Sequence, residues 1–103
     1  RQQSELLVEL ARTQHEVDQK SAAEETLQAA LATIEKIDDP LNRGYALLQV
    51  AGTRVLWGDS EQGKALLDQL EKLLATVPDK DQAKQLQAKI KTQRGQLAKI
   101  KKS

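Results

Sequence analysis

The chain has 103 residues, 16 Lys or Arg against 15 Asp or Glu, one Trp, one Tyr, and no Cys, Met or Phe. That length fits one domain with one modest core, and without cysteine there is no disulfide framework and no thiolate metal or redox site. No apolar run approaches the roughly 18 residues of a membrane span, and no basic-then-apolar segment opens the chain as a signal peptide would. A soluble chain is expected, with cytoplasm and periplasm equally compatible, and a start at Arg1 in place of Met reads as a fragment or a processed form.

Apolar positions recur at spacings of three and four, and no stretch alternates with period two over strand length, so the predicted elements are all helices. Leu6, Leu7, Leu10, Ala11 and Val17 mark a first helix over about 3–17. Ser21-Ala22-Ala23-Glu24 reads as a capping box for a second, with Asp18 as an alternative cap one turn earlier. That helix carries Ala23, Leu27, Ala30, Leu31, Ile34 and Ile37 on one face, which must be buried. Asp39-Pro40 supplies a cap oxygen and a first-turn residue whose missing N–H costs nothing, opening a third helix that runs to about Trp57. Gly58 can take the left-handed conformation that ends it. Asp59-Ser60-Glu61-Gln62 opens a fourth helix reaching about Val77, Pro78 stops it, and Asp79 with Gln82 opens a fifth that continues toward Ile100. Connections this short force successive helices to lie antiparallel.

A shift of 40 residues superposes Leu7 on Leu47, Leu10 on Val50, Ala11 on Ala51 and Thr13 on Thr53, then Ala23 on Gly63, Leu27 on Leu67, Ile34 on Leu74 and Asp39 on Asp79. A period of this size with two helices in it is the mark of a solenoid array. The small residues at Ala11/Ala51 and Ala23/Gly63 are where antiparallel helices can approach closely. The expected fold class is therefore all-α: two helix-turn-helix repeats over about 3–37 and 40–77 (domain 1–78), followed by a basic helix over about 79–101 (segment 79–103) that acts as a cap or an extension.

The order Leu7, Leu10-Ala11, Gln14, Asp18, Ala23, Leu27, Ala30, repeated as Leu47, Val50-Ala51, Arg54, Gly58, Gly63, Leu67, Leu70, resembles the tetratricopeptide repeat. The departures are Gln14 and Arg54 where an aromatic is usual, Asp18 for the turn glycine, Leu70 for alanine, and a period longer than the family's. In that family the first helix of each unit lines a concave surface that holds a partner peptide or helix. The resemblance implies contact positions Glu5, Val8, Glu9, Arg12, His15 and Glu16 in the first unit, and Tyr45, Leu48, Gln49, Gly52, Val55 and Leu56 in the second. Of these, Arg12, His15, Tyr45, Leu48, Gln49 and Val55 are the candidate partner-binding residues, with packing on a neighbouring helix or on missing repeats as the alternative reading of Tyr45, Leu48 and Val55. The Lys and Asn pair that grips a C-terminal carboxylate in some relatives is not found at these positions.

Chemistry beyond binding finds little footing. Trp57, before Gly58, reads as the residue that closes the end of a hairpin, although Trp also favours binding hot spots. His15 is the only histidine, so no histidine metal site and no recognisable nucleophile arrangement can be built around it. Glu24-Glu25 and Asp38-Asp39 lie at helix N-termini and read as answers to the macrodipole. The five glycines are scattered and make no phosphate loop. No catalytic residue, metal or cofactor is expected.

Net charge hides an asymmetry. Residues 1–78 hold 8 basic and 13 acidic side chains, a net of −5, and residues 79–103 hold 8 basic and 2 acidic, a net of +6. In that last segment Ala83, Leu86, Ile90, Gln93, Leu97 and Ile100 form a heptad seam. The 40-residue register puts Lys91 at the small packing position, so no ordinary third repeat is expected, and past Ile90 the helix is polar enough to project as a coiled coil or linker. The expected function is a non-enzymatic protein-binding scaffold. The alternatives are self-association through the seam, or binding of nucleic acid or anionic lipid by Lys80, Lys84, Lys89, Lys91, Arg94, Lys99, Lys101 and Lys102. Those residues go round the helix with no aromatic between them, which disfavours the last reading.

Overall fold

A computed structural model describes residues 2–102, with side chains over 3–100; the side chains of Lys101 and Lys102, expected in the basic segment, lie outside the described residues. Five helices account for the architecture: α1 (Gln2–Glu16), α2 (Lys20–Glu35), α3 (Pro40–Leu56), α4 (Ser60–Leu74) and α5 (Lys80–Lys102). Helices α2 to α5 thus begin at residues 20, 40, 60 and 80, and every second start repeats the 40-residue period.

The hairpin turns show that period at the level of single hydrogen bonds. After α1, Asp18 sits at φ 65°, its N–H donates to the His15 carbonyl (3.1 Å) and the Gln19 N–H donates to the Gln14 carbonyl (2.8 Å). After α3, Gly58 sits at φ 77°, with the Gly58 N–H on Val55 (3.0 Å) and the Asp59 N–H on Arg54 (2.9 Å). Both are Schellman closures, in which a left-handed residue satisfies the last helical carbonyls. Glycine enters that conformation freely, whereas aspartate does so at a cost.

The helix starts follow the expected caps with one exception. Asp39 accepts from the Asn42 N–H (2.9 Å), Asp59 from Gln62 (3.2 Å) and Asp79 from Gln82 (3.2 Å). The Ser21–Glu24 capping box does not form: α2 begins at Lys20, with Gln19 at its N-cap and no side-chain cap bond. The Schellman closure at Asp18 sets the start of α2 one residue before Ser21, and Glu24 is drawn away by a cation on α3.

Packing arranges these helices in two layers. Each hairpin packs upon itself, and in addition α1 touches α3 and α3 touches α5, while α2 and α4 make no contact with each other. First helices that abut beside second helices held apart curve the array, with α1, α3 and α5 on the inner side. Leu27 and Ile34 of α2, Leu67 and Leu70 of α4, and Leu86 and Ile90 of α5 are fully buried between the layers, each contributing about 1.5–3 kcal/mol. Ala11, Ala23 and Ala51 are 0% exposed, and a Cβ at Gly63 would already stand 3.4 Å from Leu97 and Val55.

Two expectations need correction. Leu10, read as a packing position of α1, is 48% exposed, and Leu6 and Val17, which with it marked the helix as apolar, are 67% and 62% exposed, because in the described structure no helix lies beyond that face. Val8, expected among the concave contacts, is 4% exposed and belongs to the core. The fifth helix also differs from a projecting coil. It packs on α3 and α4 as α3 packs on α1 and α2, so it stands where the first helix of a third unit would stand. Its seam is turned inward, with Leu86, Ile90 and Leu97 at 0%, 1% and 5% exposure. Lys91 does not prevent this, because a small residue is needed there only where the second helix of the same unit closes in, and α5 has no such partner among the described residues.

Candidate interaction surface

Helix α3 is the middle of the inner layer. Its buried side carries Ala46, Leu47, Val50, Ala51, Thr53 and Arg54. A helix advances about 100° per residue, which puts Tyr45, Leu48, Gln49, Gly52, Val55 and Leu56 together on the opposite side. None of the six is charged. Leu56 is 68% exposed, Gln49 is exposed, and the others are half-buried. Pro40 and Asp39 start α3 at the residue that gives this strip its orientation, and the Gly58 turn ends it just beyond Leu56.

A groove of about 580 Å³ runs beside the strip, between α3 and α5. Gly52, Val55 and Leu56 form one wall, and Thr92, Gln93, Gln96, Lys99 and Ile100 form the other. Gly52 keeps this groove open at its floor, since a Cβ there would lie 3.5 Å from the Gln93 amide. On the other flank of α3, Glu5, Tyr45, Ala46 and Gln49 line a crevice of about 110 Å³ against α1.

The six candidate residues fall into two groups. Tyr45, Leu48, Gln49 and Val55 share the outer side of α3, as the register implies. Arg12 and His15 instead turn into the seam between α1 and α3. The Arg12 Nε donates to Thr53 Oγ1 (2.9 Å), which donates in turn to the Gln49 carbonyl (2.9 Å). The His15 ring lies flat on Trp57, with centroids 4.4 Å apart and planes 7° from parallel. Both side chains hold one unit to the next.

Behind that seam lies a charged cluster that the sequence reading did not foresee. The Arg54 side chain is 4% exposed and reaches from α3 to α2, where its Nη1 and Nη2 donate to the two carboxylate oxygens of Glu24 at 2.5 and 2.8 Å. Asp59 adds a longer contact to Nη1 at 3.3 Å, the guanidinium lies 5.8 Å from the Trp57 ring centroid, and Nε has no hydrogen-bond acceptor among the described residues. The Arg54 guanidinium holds the Glu24 carboxyl below its ordinary value, chiefly through these hydrogen bonds and against the opposing effect of burial. Forty residues on, Arg94 of α5 repeats the gesture toward α4, bonding Asp68 and Glu71 at 2.7 Å each. Its hydrogen bonds lower the Asp68 pKa. Glu24 is thus a cross-unit ligand of arginine and not a response to the α2 macrodipole.

The α5 wall of the groove was also missing from the candidates. The register that pairs Thr92 with Gly52 and Gln96 with Leu56 would have found it. A signal for the arginine cluster existed as well: a cation at a core packing position demands a counter-charge. Among the described residues no group of His, Asp and Glu is arranged to hold a metal ion, and no helix is long and apolar enough to cross a membrane. Comparisons with family models, with curated proteins and with solved structures return no match for this chain.

Proposed function

We propose that this chain is a non-enzymatic interaction module of the tetratricopeptide-like kind, which holds a partner peptide or helix along the inner side of its helical array. One observation carries the reading: α3 offers an uncharged strip ending in Leu56, 68% exposed, beside an open groove whose other wall is mostly amide, hydroxyl and apolar. An apolar lane with hydrogen-bonding groups at its edge suits a helix or extended segment that buries side chains and keeps its polar edge satisfied. The grooves on the far side of α5 border Glu71, Lys80, Lys84 and Lys91, and are less suited to apolar contact. The rival reading, self-association through the α5 seam, has less surface to work with, because Leu86, Ile90 and Leu97 of that seam are buried inside the chain.

Capture from the native host with three forms of the chain tests the proposal. A partner retained by the wild type should be lost with Leu56→Glu and with Val55→Glu, both of which place a charge in the lane. It should be kept with Lys80→Glu on the far side. Retention that ignores the first two substitutions, or that follows Lys80, overturns the assignment of the face.

A further inference from the structure

The 40-residue register makes a comparison possible within the molecule. In α3, the side that meets the preceding hairpin is built from Ala46, Val50, Thr53, Arg54 and Trp57, of which the first four are nearly or wholly buried. In α5 the equivalent positions are Leu86, Ile90, Gln93, Arg94 and Leu97, and all three aliphatic side chains are buried. In α1 they are Leu6, Leu10, Thr13, Gln14 and Val17. Here the burial is reversed, with Leu6 67%, Leu10 48% and Val17 62% exposed. On a helical wheel these three lie within about 40° of arc, so they form one apolar stripe along α1. Single exposed leucines need no explanation, but an ordered stripe at interface positions does.

We propose that this outward face of α1 is a docking surface for a further α-hairpin of the same design, presented by a partner polypeptide. The molecule displays what covers such a face twice over, in α3 seated on the α1/α2 hairpin and α5 seated on the α3/α4 hairpin. A second copy of this chain is a poor occupant. Its two receiving hairpins are already covered by its own α3 and α5, and α1 against α1 would pair little more than three exposed side chains a side, far below the roughly 800 Å² per partner of a stable interface.

The polar residues refine the chemistry of the occupant. Arg54 and Arg94 each reach back for carboxylates on the hairpin beneath them, but α1 has Gln14 at that position, and the Gln14 Oε1 already accepts the Thr26 hydroxyl at 2.6 Å within its own hairpin. The occupant therefore needs no counter-charge there: it is apolar along the stripe and neutral where Glu24 stands in α2. Glu9 and Glu16, both exposed, flank the stripe on the inner side, so a basic residue suits that edge.

The probe is the full chain carrying an added copy of its own residues 1–39 ahead of Arg1, with one residue between them to continue the 40-residue spacing. Fusion supplies the hairpin at high effective concentration. The added copy carries Glu24→Gln to make that position neutral. The amides of α1 should then exchange hydrogen at least tenfold more slowly than in the unextended chain. Leu10→Ser in the original α1 should lower the urea midpoint of the extended chain clearly more than that of the unextended one, where the side chain is already 48% exposed. A second version keeps glutamate at position 24 of the added copy and places Gln14→Arg in the original α1, restoring the charge pair seen between α2 and α3; it should unfold as one cooperative unit. The proposal is overturned if Leu10→Ser shifts the two midpoints equally, if neither extended version unfolds as one unit, or if the unextended chain alone dimerises with concentration in a way that Leu10→Ser abolishes.

Discussion

Removing either end of the Arg54–Glu24 pair should cost different amounts, because the two ends have different access to water. The Arg54 side chain is 4% exposed and the Glu24 side chain 49%. Glu24→Ala leaves a buried guanidinium with only the 3.3 Å contact to Asp59. Stripping the partner from a fully buried ion costs about 3–5 kcal/mol, and half-exposure of the lost carboxylate reduces that to about 2–3 kcal/mol. Arg54→Met keeps an apolar stem in the same channel and leaves Glu24 free to rehydrate, so the expected loss is about 1–2 kcal/mol. Adding Glu24→Ala to Arg54→Met should then cost little more. Urea unfolding followed by far-ultraviolet circular dichroism reads these differences, since with a slope of about 1–3 kcal/mol per molar the larger loss moves the midpoint by about 1–2 M. A larger loss from Arg54→Met than from Glu24→Ala, or losses that both fall below about 0.5 kcal/mol, would show that the buried guanidinium does not depend on Glu24.

The same pair sets a pH dependence. The folded-state pKa of Glu24 is depressed below its ordinary value of 4.5, so its contribution is present above that value and disappears as pH falls through the lower folded value. The acid-side drop in urea midpoint should therefore be shallower in Glu24→Gln than in the wild type. Leu27→Ala, at a fully buried position, should cost about 2–5 kcal/mol, and Leu48→Ala on the half-buried outer side of α3 clearly less; equal losses in urea titrations would refute the repeat register. The two Schellman turns should respond in opposite directions. Asp18→Gly should raise the thermal midpoint, and Gly58→Ala should lower it by the equivalent of about 1–2 kcal/mol. Gly44→Ala would bring a Cβ to 2.7 Å from Leu86 Cδ2; forcing that fully buried leucine to move should cost about 1–3 kcal/mol in the same unfolding assay.

Helix existence, order and antiparallel pairing were legible because they rest on local signals: Asp39-Pro40, Asp59 with Gln62, Asp79 with Gln82, and Gly58 at a turn. The packing face of α2 was legible for the same reason, as Leu27, Ala30 and Ile34 follow one periodicity. What escaped was decided across units. Ser21 and Glu24 have the spacing of a capping box, but spacing cannot show that Arg54, 30 residues away, competes for the same carboxylate. Arg12 and His15 have the periodicity of an exposed face, yet their atoms are held by Thr53 and Trp57 of the next unit. Lys91 was an argument against a third unit only on the assumption that every first helix has its second helix beside it.

The separation of α2 from α4 has a mechanical meaning. Within each hairpin, two helices adhere along their length by apolar contact, which responds little to dissolved salt. At each joint between hairpins apolar contact continues, through Ala46 and Val50 of α3 and Leu86, Ile90 and Leu97 of α5, and an arginine is added to it, Arg54 to α2 and Arg94 to α4; the buried Arg54 is little screened by dissolved ions, the part-exposed Arg94 more so. The two joints thus share one design at different depths, with the Arg54 side chain 4% exposed and that of Arg94 30%. Added salt should therefore weaken the α4–α5 pair more than the α2–α3 pair.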